Sequence, residues 1–400
     1  MNDIADKNLP SPSKKRNQHI LIYCGIAFIL LIAFLLYWLF VLQYYEYTDD
    51  AYVEGNMVYV TSLRPGFITQ IHSDDTYLVR KGQLLVELDR TDAEIALNKA
   101  KEELANVVRE VCKHFHQVFV YQADIEIAQA ELIRAKQDFQ HRQDVIGAGG
   151  VSTEDIEHAK AALDASTSSL QRAKTLHKQA LSLIQGTTIK DHPQVLALAN
   201  RVREMSVQLK RCKIHSPVEG LVAQRKAQVG MWIDPGMPLM SVIPLNQIWV
   251  NANFKETQMK AMRIGQKVSL TSDYYGGDNV YDGVIVGLPG AAGDAFSILP
   301  PQNLSGNWIK IVQRVPVRIG LDPRQLQEHP LRIGLSMEAT VDLSSEGNTM
   351  VPISTEGPLY ATSIFDEELQ GIEEIIQEII QGNMDPQLSQ FANTPLVESL

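Results

Sequence analysis

Ser62-Leu-Arg-Pro-Gly66-Phe-Ile-Thr-Gln70 and Ser216-Pro-Val-Glu-Gly220-Leu-Val-Ala-Gln224 are two versions of one pattern, set about 154 residues apart. The register holds beyond them: at the same offset Gly82 lies over Gly236, and Leu85 over Leu239. Each copy joins short apolar and β-branched runs through glycines. The runs are Phe67-Ile-Thr-Gln-Ile71 and Leu84-Leu-Val-Glu-Leu88 in the first copy, Leu221-Val-Ala and Leu239-Met-Ser-Val-Ile243 in the second. Such runs read as strands. The matched glycines Gly66, Gly82, Gly220 and Gly236 read as turns that need positive φ. Two matched sets of short strands make one small β-sandwich once the chain brings them together. Its halves are expected over 48–90 and 212–244.

What separates the halves reads as helix. Apolar residues recur every seventh position at Leu97, Leu104, Val111, Val118, Ile125, Leu132, Phe139 and Ile146, with Ala100, Val107, Tyr121, Ala128 and Ala135 between them. That 3-4 spacing is the coiled-coil pattern, and small seam residues permit close approach. Gly147-Ala-Gly-Gly150 stops it. It resumes at Ser152-Thr-Glu-Asp155, where Ser152 is placed to cap a helix and Asp155 stands at the reciprocal position of a capping box. The second arm carries Ile156, Leu163, Leu170 and Ile184, then Val195, Leu198, Val202, Met205 and Leu209, with a kink or short loop expected between Gly186 and Pro193. Arms over 91–146 and 152–211 are nearly equal in length, so folding back at the glycines returns the chain to its start. The spacing therefore predicts an antiparallel hairpin over 91–211, about 80 Å long, with its tip at 146–152. On that hairpin Cys112 and Cys212 lie about 40 Å apart by helical rise, too far for a disulfide.

Residues 20–42 form an unbroken uncharged apolar run, long enough at about 34 Å to cross a bilayer. The run exceeds a signal-peptide core and ends in Gln43-Tyr44-Tyr45-Glu46-Tyr47 rather than in small residues. With Tyr37 and Trp38 those tyrosines make an interfacial aromatic belt. Lys14, Lys15 and Arg16 precede the run, and Glu46, Asp49 and Asp50 follow it, so residues 1–19 are expected in the cytoplasm and the bulk across the membrane.

Residues 245–344 are strand-rich. Ile248-Trp-Val-Asn-Ala-Asn-Phe254, Lys267-Val-Ser-Leu-Thr271, Val284-Ile-Val286, Trp308-Ile-Lys-Ile-Val312 and Val315-Pro-Val-Arg-Ile319 are separated by turn residues at regular spacing. They predict a β-barrel with a loop between Gly287 and Gly306; Phe254, Lys255 and Glu256 read either as a contact-bearing barrel edge or as a solvated turn. Residues 345–400 form an acidic tail. From Asp366 to Ile380 it carries an apolar stripe of Leu369, Ile372, Ile375/Ile376 and Ile379, suited to docking on a neighbouring subunit or on this chain's own surface, the alternative being a weakly ordered tail.

The fold class expected is thus mixed α and β and elongated: an N-terminal membrane helix, a long helical hairpin inserted into a split lipoyl-like sandwich, and a barrel. Several functions are disfavoured. A net charge of -11, from 36 basic and 47 acidic residues, argues against a nucleic-acid binder. The chain has no HExxH, GxSxG, P-loop or CxxC motif, and no cofactor is expected. His141 and His158 near the tip lack a further ligand pair, so no metal is expected there.

This order of anchor, half-sandwich, hairpin, half-sandwich and barrel resembles the membrane fusion proteins, or periplasmic adaptors, of the HlyD/EmrA type. Thr48-Asp-Asp-Ala-Tyr52-Val, Ala252-Asn-Phe-Lys-Glu-Thr-Gln258, Arg263-Ile-Gly-Gln266 and Gly306-Asn-Trp-Ile-Lys310 are similar to the EmrA branch of drug-efflux adaptors. The resemblance covers roughly 48–343 and leaves the tail outside it. It implies a non-enzymatic adaptor of a Gram-negative tripartite pump. The partners implied are an inner-membrane transporter of the major facilitator type, a TolC-like outer-membrane channel and further copies of the chain. It also implies that Arg142, Ile146 and Ser152 at the tip meet the channel, although the last interval is one residue shorter than in related adaptors. The alternatives are a type I secretion adaptor paired with an ABC exporter, and a membrane-tethered biotin or lipoyl carrier.

Overall fold

The computed structural model describes residues 14–40, 42–145, 150–293, 312–347, 349–351 and 357–394. It opens with α1 (Lys14–Phe40), whose stretch His19–Trp38 has a mean hydropathy of 2.8 and packs against no part of the protein. A helix so apolar and so exposed is matched to hydrocarbon rather than water. A single 3-10 turn, Leu42–Tyr44, leads from it into β1 (Tyr45–Gly55).

The sandwich is built from β2 (Val58–Thr61), β3 (Gly66–Ile71), β4 (Leu78–Val79) and β5 (Leu84–Leu88), interrupted by α2 (Thr91–Val145), α3 (Thr153–Ile184) and α4 (Pro193–Lys210). It is completed by β6 (Lys213–His215), β7 (Gly220–Ala223), β8 (Trp232–Ile233) and β9 (Pro238–Ile243). Its two sheets run β2-β9-β7-β4 and β6-β5-β3-β8. The sequence repeat maps β2, β3, β4 and β5 onto β6, β7, β8 and β9, and that mapping turns one sheet order into the other. Each sheet therefore takes two strands from each half, so neither half can close a sheet alone. Val60, Ile68, Val79, Leu85 and Leu88 from one half interleave with Val222, Ile233, Leu239 and Val242 from the other.

The repeated serines and glycines form cross-half latches. Gly82 N–H donates to Ser216 O at 2.8 Å, and Gly236 N–H donates to Ser62 O at 2.9 Å. These two glycines have φ of +79° and +84°, where a Cβ is disfavoured. Gly66 and Gly220 differ from the expectation: they open strands β3 and β7 and have no positive φ. Gly220 is required for a separate reason, since a Cβ there would collide with the Ile243 carbonyl.

The barrel is closed by six strands in the order β1-β10-β13-β12-β11-β14, with β10 (Ile248–Lys255), β11 (Lys267–Ser272), β12 (Gly276–Gly287), β13 (Arg314–Leu321) and β14 (Ser336–Asp342). Helix α5 (Pro323–Glu328) lies between β13 and β14. The assignment of residues 48–55 to the sandwich is corrected here. β1 pairs with β10 on one side (Ala51 with Ala252) and with β14 on the other (Tyr45 with Asp342), burying Ala51 and Val53 in the barrel core. Alternation names a strand but not its sheet; the unpaired edges of β10 and β14 recruit β1. Of the expected strand 308–312 and loop 287–306, all but Val312 and residues 287–293 lie outside the described residues.

In the hairpin, α2 has 55 residues and measures about 82 Å at helical rise. Against its distal part packs α3, through Ala159, Ala173 and Ala180. The returning arm is broken over 185–192, where Gly186 has φ +72° and His192 caps α4 by accepting from Gln194 N–H at 3.3 Å. At the base, Arg64 Nη1 donates to Gln208 O at 3.0 Å, and Cys212 is buried in the sandwich core, so rod and sandwich are joined through packing. All three cysteines are free.

The tail folds back onto its own chain. Its helix α6 (Ile372–Asn383) starts later than the sequence pattern indicates, because Gly371 takes a left-handed φ of +77°. Leu369 stays exposed, and the buried stripe is Ile372, Ile376 and Ile380. These side chains and Leu388 pack on Leu104, Val108, Val111 and Phe115 of α2 and Val195 and Val202 of α4. Phe391 lies 5.8 Å from Phe115 and 5.9 Å from Phe119.

Candidate functional site

Two ends of the molecule carry the residues of interest. At the tip, Ser152 Oγ accepts from Asp155 N–H at 3.2 Å while Ser152 N–H donates to Asp155 Oδ2 at 3.2 Å, a complete capping box. The Ser152 hydroxyl and backbone bonds hold the Asp155 carboxyl below its ordinary range. Arg142 pairs with Asp138 at 3.1 Å and donates from Nη1 to Asp155 O at 3.2 Å, tying the end of α2 to the start of α3. The structure thus brings Arg142 and Ser152 onto one small cap of the rod. Ile146 lies outside the described residues. Gly150 and Ser152 are exposed, and so is Val145. Among the described residues no group of histidines, cysteines and carboxylates is gathered as a metal site, and His158 pairs instead with Glu154 at 3.6 Å.

The second end is the barrel face beside α1. Antiparallel pairing puts the start of β1, the ends of β10, β12 and β14, and the starts of β11 and β13 at that end. The connections to the sandwich, 56–57 and 244–247, leave from the opposite end. Phe254 is corrected from a contact residue to a core residue: it is fully buried among the barrel side chains, because alternation along β10 turns it inward with Ala252 and Val250. Lys255 and Glu256 are exposed at the rim.

Sequence reasoning missed what shapes this rim. The buried Gln266 accepts Arg263 N–H at 2.8 Å and donates to Ala261 O at 3.1 Å. Gln258 donates to Glu46 Oε2 at 2.7 Å, fastening the connection after β10 to the start of strand β1. A single glutamine carries no periodic signal, so only the fold reveals these ties. The tail's polar anchors were also invisible: Arg203 pairs with Glu373 at 2.6 Å, Arg211 with Glu368 at 2.8 Å and His116 with Asp385 at 2.8 Å. Arg203 holds the Glu373 carboxyl below its usual range. The Gln387 backbone N–H, then His116, do the same for Asp385.

Comparison with known proteins agrees with this layout. Residues 91–212 match the family model "EMRA, alpha-helical hairpin domain". Over 93% of its length the chain is 42% identical to the probable multidrug resistance protein EmrK of Escherichia coli (strain K12), covering 98% of that protein. It is 40% identical to the multidrug export protein EmrA of the same strain over 87% of this chain and 90% of EmrA. It is also 40% identical to the fatty acid resistance protein FarA of Neisseria gonorrhoeae over 75% of this chain and 76% of FarA.

Proposed function

The chain belongs to the EmrA family of multidrug export proteins, and from that premise we propose that it is the periplasmic adaptor of a tripartite efflux pump. In this reading α1 anchors it in the inner membrane with residues 1–19 in the cytoplasm. The barrel meets an inner-membrane transporter of the major facilitator type, and the hairpin tip meets a TolC-like outer-membrane channel. The observation that carries the reading is the conjunction of near full-length identity to EmrK with a rod of about 82 Å on a membrane anchor. The chain contributes reach and rigidity rather than chemistry: the transporter's gradient supplies the energy, and copies of this chain line the path.

The roles of the individual residues follow. Lys255 and Glu256 at the rim face the transporter or a second copy; Arg142 and Ser152 on the cap of the rod, with Ile146 between them in sequence, meet the channel. Of these, Arg142 and Ser152 also hold the cap together, so their contribution to docking is partly through its shape. Photocrosslinking in cells from positions 142–152, read by mass spectrometry, tests the reading. Adducts with an outer-membrane channel are expected. Adducts confined to inner-membrane proteins would overturn the tip assignment. Ile146→Glu with Ser152→Glu should abolish drug resistance while leaving membrane anchoring and helicity unchanged; undiminished resistance would count against it.

A further inference from the structure

The rod stands on the sandwich through two short ties. Asp89 and Arg90 join β5 to α2, and Arg211 and Cys212 join α4 to β6. The ties lie side by side: Leu88 N–H donates to Cys212 O at 2.8 Å, and Cys212 Sγ lies 3.8 Å from Asp89 O. Two adjacent ties resist sliding and twisting but leave one soft axis, the line through both of them. Ala93, Leu209 and Cys212 pack into the sandwich at the axis itself, and Arg64 reaches Gln208 O from the sandwich side. Leverage makes this axis matter. On a rod of about 82 Å, a tilt of about 10° carries the tip through about 14 Å.

The C-terminal segment crosses the axis and grips the two bodies unequally. Its hold on the rod is firm. Ile372, Ile376, Ile380 and Leu388 are buried against α2 and α4, Arg203 pairs with Glu373, and Lys210 Nζ donates to Gln370 O at 2.7 Å. Its hold on the sandwich is light. Thr362 Oγ1 donates to Pro217 O at 2.9 Å, and Lys81 Nζ donates to Ser363 Oγ at 3.0 Å. Among the described residues these are the hydrogen bonds that join 357–371 to the sandwich, and Thr362, Ser363 and Lys81 are all exposed. Water competes for such bonds far better than for buried apolar faces. Between the two grips lies an unfilled cleft of about 580 Å³, bordered by Leu63 and Ile214 of the sandwich and by Ile364 and Phe365 of the tail. Leu63 and Phe365 are each 50% exposed, so these side chains border one space without closing it into a core.

We propose that the tail is a strap with a release latch. Helix α6 rides with the rod, while Thr362 and Ser363 latch the strap to the sandwich and hold the rod at one tilt. When the latch opens, the cleft gives the sandwich room to move against the tail, and the rod swings about its two ties with α6 still seated. The position of the tip is thereby set by contacts at the opposite end of the rod. The proposal needs neither transporter nor channel and stands or falls apart from the efflux reading.

The test uses the full-length protein in nanodiscs, with spin labels carried by an unnatural ketone-bearing amino acid so that the three cysteines are kept. Glu110 on the rod is labelled together with Glu219 or with Gln228, which lie on loops at opposite ends of β7; these pairs report tilt. Glu110 with Glu378 reports the seating of α6. All four positions are exposed. Pulsed dipolar spectroscopy should give one narrow distance distribution for each pair in the parent protein. Thr362→Val with Ser363→Ala should widen at least one tilt distribution about twofold, since the latch no longer favours one arrangement, and leave the 110–378 distance unchanged. A chain ending at residue 347 lacks strap and latch together and should widen the tilt distributions at least as much. Tilt distributions that stay narrow in either variant would overturn the proposal. So would loss of the 110–378 distance in the latch variant, because α6 would then depend on the latch instead of riding with the rod.

Discussion

The basal and distal halves of the hairpin share one helix and are stabilised differently. Distally, α2 meets only α3. A two-helix rod buries a single stripe, so alanines at Ala128, Ala159 and Ala173 take the closest contacts and residues such as Ile127 and Ile133 remain exposed. Basally, α2 meets α4 and α6. The third helix encloses Leu104, Val108, Val111, Phe115, Val195 and Val202 in a core that two helices cannot close. A rod of constant sequence periodicity thus has a slender end and a reinforced end, and the reinforcement comes from the far end of the chain. It covers the stretch where the returning arm is broken over 185–192: Ile189 N–H donates to Phe391 O at 3.2 Å.

The sharpest way to break this contrast is to end the chain at residue 347. Loss of the buried faces of Ile372, Ile376, Ile380 and Leu388 removes on the order of 6–10 kcal/mol of apolar burial. Hydrogen exchange should rise across residues 97–119, 180–184 and 193–210 and stay unchanged in the distal part of α3, 153–173; equal loosening of both halves would refute the division. A milder probe is Phe115→Ala, expected to cost about 3–5 kcal/mol because the ring is fully buried. The matching change Leu132→Ala in the distal half removes a half-buried side chain and should cost distinctly less in thermal or denaturant unfolding.

Acidity gives a finer comparison. Glu373 and Asp385 titrate below their unfolded values, so their contribution to tail docking is complete above the usual carboxylate range and is lost as pH falls through the folded values. Protection of the α6 amides, taken relative to their intrinsic exchange at each pH, should therefore fall on acidification below about pH 4. Glu373→Gln should lower docking stability at neutral pH by less than about 1 kcal/mol, since the pair is largely solvated, and should weaken the acid response. The most local effect is expected from Ser152→Ala, which removes one side of the capping box. It should fray the first turn of α3, read by exchange at 153–156, and leave the basal core untouched.

Much of this was legible in the residues because it is local. Ser152 with Asp155 and the heptads from Leu97 each act over one or two helical turns, and the structure contains the same fold class of anchor, split sandwich, hairpin and barrel. The repeat foretold the sandwich, since equal halves related by one offset can complete each other's sheets. The candidate site was less legible. Lys255 and Phe254 are neighbours in sequence, yet strand alternation exposes the first and buries the second.

What the chain determined by itself is the content of its elements: an apolar helix of bilayer length, strands of period two, arms of heptad period and the glycine positions that end them. Tertiary structure alone decided which edges those elements meet. It drew β1 from the sandwich to the open edges of β10 and β14, and it moved the start of α6 to Ile372 and seated that helix on α2 and α4. Periodicity records which face of an element avoids water; the surface that covers that face can lie hundreds of residues away, and only the assembled core selects it.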